Sequence, residues 1–196
     1  MLQTKRSLIS VLLPSALLLS GCSSISVDEY DGRTPELNPR EFFNGKVCAD
    51  GVVRDWSGKQ IRQFNAQILA SWDEQGVGTL DEIFDFDDGR EYRVWTLTPH
   101  PEGGYRAIAS DVPEETRMTH AGNSIHMAYT LRYGQPGDTI DLRMDDWMFK
   151  VADGVVINET RMSKWGLDVG QVLLVMRKVA DDAVCLPKGE AGAAAE

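Results

Sequence analysis

Asp145 and Asp146, followed by Trp147 and Met148, form the most unusual local cluster in this chain of 196 residues. Two carboxylates can serve as general acid and base, but only if both reach one reacting group. Neighbours on an extended strand point to opposite faces, so this pair makes no side-by-side dyad without a bulge. Two readings stay open. In one, an Asp is a polar anchor at a cavity mouth, with Trp147 and Met148 on the apolar wall. In the other, it is a structural acid bound to an arginine such as Arg161 on the next strand. Glu82 and Arg93 are a second candidate pair, because each sits in an otherwise apolar alternating row where an unpaired charge would be costly. Glu82, Asp111 and Asp146 are the acids on which a hydrolase or isomerase would draw. No motif supports such an enzyme: Ser163-Lys164 is not the Ser-x-x-Lys signature, and there is neither a Gly-x-Ser-x-Gly elbow nor a phosphate-cradling glycine loop. His100, His120 and His126 lack metal-ligand spacing and read as surface or loop histidines. The acidic run Asp81, Glu82, Asp85, Asp87 and Asp88 alternates with Ile83, Phe84 and Phe86, which suits a strand with one wet face rather than a calcium loop. No catalytic residue, metal site or cofactor is therefore expected.

The cysteines carry a different chemistry. Cys22 closes the run Leu19-Ser20-Gly21-Cys22, after Lys5, Arg6 and an apolar stretch from Leu8 to Leu19 that is too short to span a bilayer. That order matches the bacterial lipobox, in which a diacylglycerol is attached to the thiol and the chain is cut just before it. Residues 1–21 are thus expected to be a lipoprotein signal peptide. Each buried CH₂ contributes about 0.8 kcal/mol and one acyl chain holds only marginally, so two or three on Cys22 would make anchoring effectively permanent. Ser23, rather than Asp, implies sorting to the outer membrane, with the domain facing the periplasm. Cys48 and Cys185 are an even pair in an oxidising compartment, which suggests a disulfide; two unrelated thiols are the alternative.

Loss of Lys5 and Arg6 with the leader leaves 18 of 20 basic residues against 30 acids. Such an excess opposes binding to nucleic acid or anionic head groups. The remaining length suits one domain with a sizeable core.

The elements that must position these residues are short runs separated by turn signals. Residues 22–40 are polar, with Gly32, Pro35 and Pro39, and read as a lipidated N-terminus and tether. Residues 41–186 read as the folded domain and 187–196 as a disordered tail. Strands are expected near 45–55, 60–72, 77–87, 90–98, 104–111, 122–133, 138–151, 154–164 and 168–179, with a weak tenth near 114–119. Asp88-Gly89 and Asp153-Gly154 are the sharpest turn signals, suited to two-residue hairpins. Consecutive strands joined by tight turns pair antiparallel, and eight to ten in a row curl. The expected fold is all-β, an antiparallel up-and-down meander closed into a barrel of 8–10 strands, because closure removes both exposed edges. A two-layer sandwich competes. Alternation puts Leu80, Glu82, Phe84 and Phe86 on one face, Arg93, Trp95 and Leu97 on another, and Val169, Gln171, Leu173, Val175 and Arg177 on a third. Apolar rows with a charged member suit a barrel that encloses a ligand or water, and equally a row solvated at one end.

Several runs carry a family resemblance: Glu41-Phe42-Phe43-Asn44-Gly45-Lys46, Gly51-Val52-Val53-Arg54-Asp55, Leu80-Asp81-Glu82-Ile83-Phe84, Arg93-Val94-Trp95-Thr96-Leu97, Ser110-Asp111-Val112, Asp145-Asp146-Trp147-Met148, Met162-Ser163-Lys164-Trp165-Gly166 and Val169-Gly170. Over roughly residues 30–179 the chain resembles a domain-of-unknown-function family of Gram-negative envelope lipoproteins with a lipocalin-like (calycin) appearance. The resemblance implies a small lipocalin-like barrel tethered in the periplasm, and no catalytic residue. True lipocalins have a Gly-x-Trp near the first strand, whereas Gly45 is followed by Lys46 and Val47; Arg177 is the counterpart of their last-strand arginine.

The expected function is binding or carriage of a fatty-acyl or lipid-like ligand. Leu80, Phe84, Phe86, Trp95, Met144, Trp147 and Leu173 would bury the chain, with Glu82, Arg93, Asp146 and Arg177 as polar groups at the site. The alternatives are a filled barrel acting through a protein partner and, less favoured, a lipid-acting enzyme.

Overall fold

The computed structural model describes residues 25–135 and 137–186. Cys22, the leader 1–21 and the tail 187–196 lie outside the described residues. Ten strands follow one another in the order β1 (Gly45–Asp55), β2 (Gln60–Trp72), β3 (Gly78–Phe86), β4 (Gly89–Pro99), β5 (Tyr105–Ala109), β6 (Val112–Ala121), β7 (Ser124–Gln135), β8 (Asp138–Ala152), β9 (Val155–Lys164) and β10 (Leu167–Lys178). Each pairs antiparallel with its sequence neighbours, and β1 pairs with β10 from Val47↔Lys178 to Asp55↔Gly170. The sheet is therefore a closed barrel without a free edge, which rules out the sandwich. The weak run near 114–119 is a full strand, β6.

Period-two burial drives the closure. On β2, Phe64, Ala66, Ile68 and Ala70 are buried while the residues between them face outward. Ser124, Ile125, Met127, Tyr129 and Leu131 are the buried positions of β7. One detail departs from the pattern expected at the turns. The first sharp turn is shifted by one residue: Phe86 pairs with Gly89, so the loop is Asp87-Asp88 and Gly89 opens β4. At Trp165-Gly166, by contrast, both loop residues are left-handed, with φ of 53° and 78°, the signature of the mirror-image turn that matches strand twist.

A second departure changes side-chain facing. The β9–β10 ladder runs Asp168↔Ser163 and then Gly170↔Met162, so Val169 is an inserted residue. One extra residue reverses every side chain beyond it. Val172, Leu174 and Met176 therefore face inward, and Gln171, Leu173, Val175 and Arg177 face outward, opposite to the simple alternation.

The two ends of the barrel differ. Hairpin turns β1–β2, β3–β4, β5–β6, β7–β8 and β9–β10 gather at one end; the chain enters and leaves at the other. That second end is plugged by the N-terminal segment. Residues 25–40, expected as part of a tether, instead pack on the barrel through a short 3₁₀ turn (Val27–Tyr30) and α1 (Pro39–Phe42). Proline at the first helical position and the Asn38 cap, whose side chain accepts from the backbone N–H of Arg40 and Glu41, set where α1 starts. Leu37, Phe42 and Phe43 are buried, and the Leu37 N–H donates to the Gly122 carbonyl at 2.8 Å. Lys178 Nζ donates to the carbonyls of Glu41, Phe42 and Asn44 at 2.9, 3.3 and 2.6 Å, which places a cation on the free carbonyls ending α1. Cys48 on β1 is disulfide-bonded to Cys185 in the segment after β10.

Candidate binding chamber

The inward side chains do not fill the barrel. They surround a chamber of about 430 Å³ that reaches the turn-rich end. Ten strands enclose a wider lumen than eight, and several inward positions are small. Ala49 and Ala66 line the wall, and a Cβ on Gly51 would stand 2.4 Å from the Phe64 ring, so only glycine lets that ring lie against β1.

The wall is mostly apolar and aromatic. Phe64 meets Phe84 and Phe86 with ring centres 5.7 and 4.8 Å apart, and Trp95 meets Tyr129 edge-to-face at 5.4 Å. Leu80, Met118, Met127, Met144, Leu174 and Met176 complete it. Such offset and edge contacts are the favoured aromatic geometries. Five of the six expected apolar positions on β3, β4 and β8 therefore line the chamber: Leu80, Phe84, Phe86, Trp95 and Met144.

A polar belt crosses this wall at the middle of the strands. Glu82 and Arg93 are opposite each other in the β3–β4 ladder, yet they are not an ion pair. Arg93 instead donates from Nε to Oδ2 of Asp111 at 2.8 Å, and its Nη2 lies 2.8 Å from the same oxygen in an ion pair. Asp111 sits on the short β5–β6 turn, which folds it toward β4 where two-residue register arguments do not reach. Its Oδ1 is buried with no hydrogen-bond partner among the described residues. Asp146 on β8 is buried and accepts through Oδ1 from Asn158 Nδ2 and, at 3.1 Å, from Thr160 Oγ1. Burial pushes the Asp146 carboxyl up, with those two donors and Arg93 opposing the shift. Burial also pushes the Glu82 carboxyl up to about 7, held back by Arg93 and reinforced by the neighbouring Asp146 and Asp111 charges. The Tyr129 hydroxyl is raised for the same reason, its desolvation first and the Asp146 charge second.

Other expected site residues lie elsewhere. Trp147 faces outward: alternation on β8 turns Asp146 and Met148 into the chamber and Trp147 away from it. There it stacks on Phe149 at 5.9 Å, meets Tyr30 of the N-terminal segment at 5.5 Å, and lies 4.2 Å from the His126 ring. It seats the N-terminal segment rather than the chamber. Asp145, on the same outer face, bonds to His126 at 2.7 Å, so neither acid of the pair takes Arg161 as its ion-pair partner. His120 and His126 lie on strands, not in loops. Arg177 also faces outward, where Nη1 bonds to Oδ2 of Asp50 at 2.7 Å. Leu173 points out with it, and Leu174 takes the inward place. The residues that sequence reasoning missed are Tyr129, Asn158 and Thr160. Tyr129 was legible in the alternation of β7, and Asn158-x-Thr160 in the alternation of β9. What joins them to Asp146 is the β8–β9 register, where Asp146 faces Thr160.

The mouth is ringed by exposed apolar side chains. Trp56 is 80% exposed, Trp165 90%, and Ile61 and Leu167 are exposed beside them. Lys164 lies over the Trp165 ring at 4.6 Å. No cluster of His, Cys, Asp and Glu among the described residues is arranged to hold a metal ion.

A family model described as a protein of unknown function, DUF3833, matches residues 16–178. Nothing among curated proteins matches the chain. Among solved structures, an S-type phycobiliprotein lyase from Guillardia theta is similar to this chain at 9% identity and a TM-score of 0.48, over 71% of this chain and 90% of that one.

Proposed function

The chain belongs to the DUF3833 family of proteins of unknown function, and from its chamber we propose a binding protein that holds an elongated hydrophobic molecule, fatty-acyl or lipid-like, inside the barrel. The observation that carries this reading is the apolar chamber of about 430 Å³, plugged at one end and reached from the other. That volume lies in the range of small-molecule sites, about 300–1,000 Å³, and the combination of apolar walls with a few convergent polar groups is typical of them. At about 0.8 kcal/mol per buried CH₂, a long acyl chain supplies enough for micromolar binding after ordering costs. A hollow interior disfavours the filled barrel acting only through a protein partner. Acylation at Cys22 would hold the barrel at the outer membrane on its periplasmic side, where such molecules pass between membranes.

The test is native mass spectrometry of a Cys22→Ser protein exported to the periplasm and purified without detergent. Stoichiometric co-purifying lipid is the expected result. A clean apo mass, unchanged after exposure to envelope lipids, would overturn the proposal.

A further inference from the structure

Resting on that reading, we propose that the chamber selects amphiphiles whose polar end donates hydrogen bonds and is cationic or neutral, and that it discriminates against fatty-acid anions. The argument starts from what the polar belt has left over. Arg93 is the belt's cation; its Nε donates to Asp111 Oδ2, and its Nη2 is ion-paired with the same oxygen. Its outer N–H groups stay free, but its charge is offset by Asp111, and Glu82 and Asp146 stand in the same belt, so the belt offers a ligand carboxylate no net positive charge. Asp146 is already served by Asn158 and Thr160.

Within the polar belt, and apart from the free N–H groups of Arg93, three groups remain without hydrogen-bond partners among the described residues; Lys164, also without one, stands at the mouth. Glu82 is 8% exposed and Tyr129 5%; neither side chain makes a hydrogen bond or ion pair there. Asp111 Oδ1 is the third. Buried polar groups are normally paired, and one left unpaired costs about 1–3 kcal/mol. Two of the three are carboxyl oxygens, which accept; Tyr129 Oη can donate once or accept. A ligand head that donates to Glu82 and Asp111 and also accepts from Tyr129 would satisfy all three. A hydroxyl does this in part, and an ammonium serves both carboxylates. An anionic carboxylate offers only acceptors and adds a charge beside Glu82, Asp111 and Asp146.

The groups facing Glu82 are Arg93 on β4, Asp111 on the β5–β6 turn, Tyr129 on β7 and Asp146 on β8, with Asp81 next to it on β3. Burial holds the Glu82 carboxyl up to about 7, and the surrounding acids, which outnumber the one cation of the belt, add to the rise. Above that pH it is ionised and prefers a cationic partner more strongly.

The test uses the purified protein and three probes of equal chain length: dodecylamine, dodecanol and dodecanoate, each below its aggregation concentration. Each displaces a neutral naphthylamine dye from the chamber, read at pH 8 and, for dodecylamine and dodecanoate, again with Glu82→Gln and with Tyr129→Phe. A bond to a charged group contributes about 1.5–3 kcal/mol, so dodecylamine should bind about tenfold tighter than dodecanoate. Glu82→Gln, which keeps the shape, should narrow that gap to about threefold or less, and Tyr129→Phe should leave it largely intact. Equal binding of all three leaves the chamber reading standing and overturns the selectivity, as does tighter binding of dodecanoate or a gap indifferent to Glu82→Gln. If none of the three displaces the dye, the chamber reading itself falls, and this proposal with it.

Discussion

The two ends of the barrel are built from the same meander and have opposite characters. At the plugged end, Leu37, Phe42 and Phe43 are buried, and three bonds from Lys178 hold the end of α1 in place. At the mouth, Trp56 and Trp165 stand in solvent. Apolar residues at the plug contribute stability by leaving water, whereas those at the mouth cannot. Trp165 goes further, since it occupies a left-handed backbone conformation that bulky residues rarely adopt. The lesson is that a hydrophobic residue in a barrel turn and one in a barrel plug look alike in sequence but do different physical work.

The sharpest way to break this comparison is a truncation at the plug. Phe43→Ala removes a buried ring and should cost about 3–5 kcal/mol in chemical unfolding. If it costs no more than a surface change, the segment is not part of the core. Next in size is the pH dependence of the polar belt. Glu82 binds its proton more tightly folded, at about 7, than unfolded, near 4.5. Its stabilising contribution is therefore fully present below pH 4.5 and lost as pH rises to 7, on the order of 3 kcal/mol, with no further change above that. Asp146, also shifted upward, acts in the same direction. Urea midpoints taken across this window should fall in the parent and fall less in Glu82→Gln.

Smaller effects belong to the outer face and the mouth. Arg177→Ala removes an exposed pair with Asp50 and should change stability by about 0–1 kcal/mol. It should leave dye affinity unchanged, whereas a loss of binding would return Arg177 to the ligand site. Trp165→Asn relieves the left-handed strain and should stabilise by up to about 1 kcal/mol in the same unfolding assay. A loss of stability there would show that Trp165 packs in a way its exposure does not suggest.

Much of the fold was legible without coordinates. The expected strands at 45–55 and 60–72 coincide with β1 and β2, and most others fall within two residues of their ends. Glycine and Asp-Gly punctuation marks strand ends because few other residues take the required backbone angles. The site was half legible. Glu82, Phe84, Phe86, Arg93, Trp95 and Asp146 follow from period-two alternation and do line the chamber. Trp147 broke that rule when it was grouped with Asp146, its immediate neighbour. Arg177 obeyed the rule and still failed, because Val169 is an inserted residue that no composition signal marks.

By itself, then, the sequence determined the strands, their antiparallel order and the mixture of apolar and charged side chains on the inner rows, because these depend on local periodicity and short turns. Only the tertiary structure decided the partners: Arg93 with Asp111 rather than Glu82, Asp146 with Asn158 and Thr160, and the N-terminal segment as a plug rather than a tether. It also decided that the barrel is hollow. Register, bulges and the number of strands in the ring set which side chains meet across the lumen, and those are properties of closure that no single stretch of chain contains.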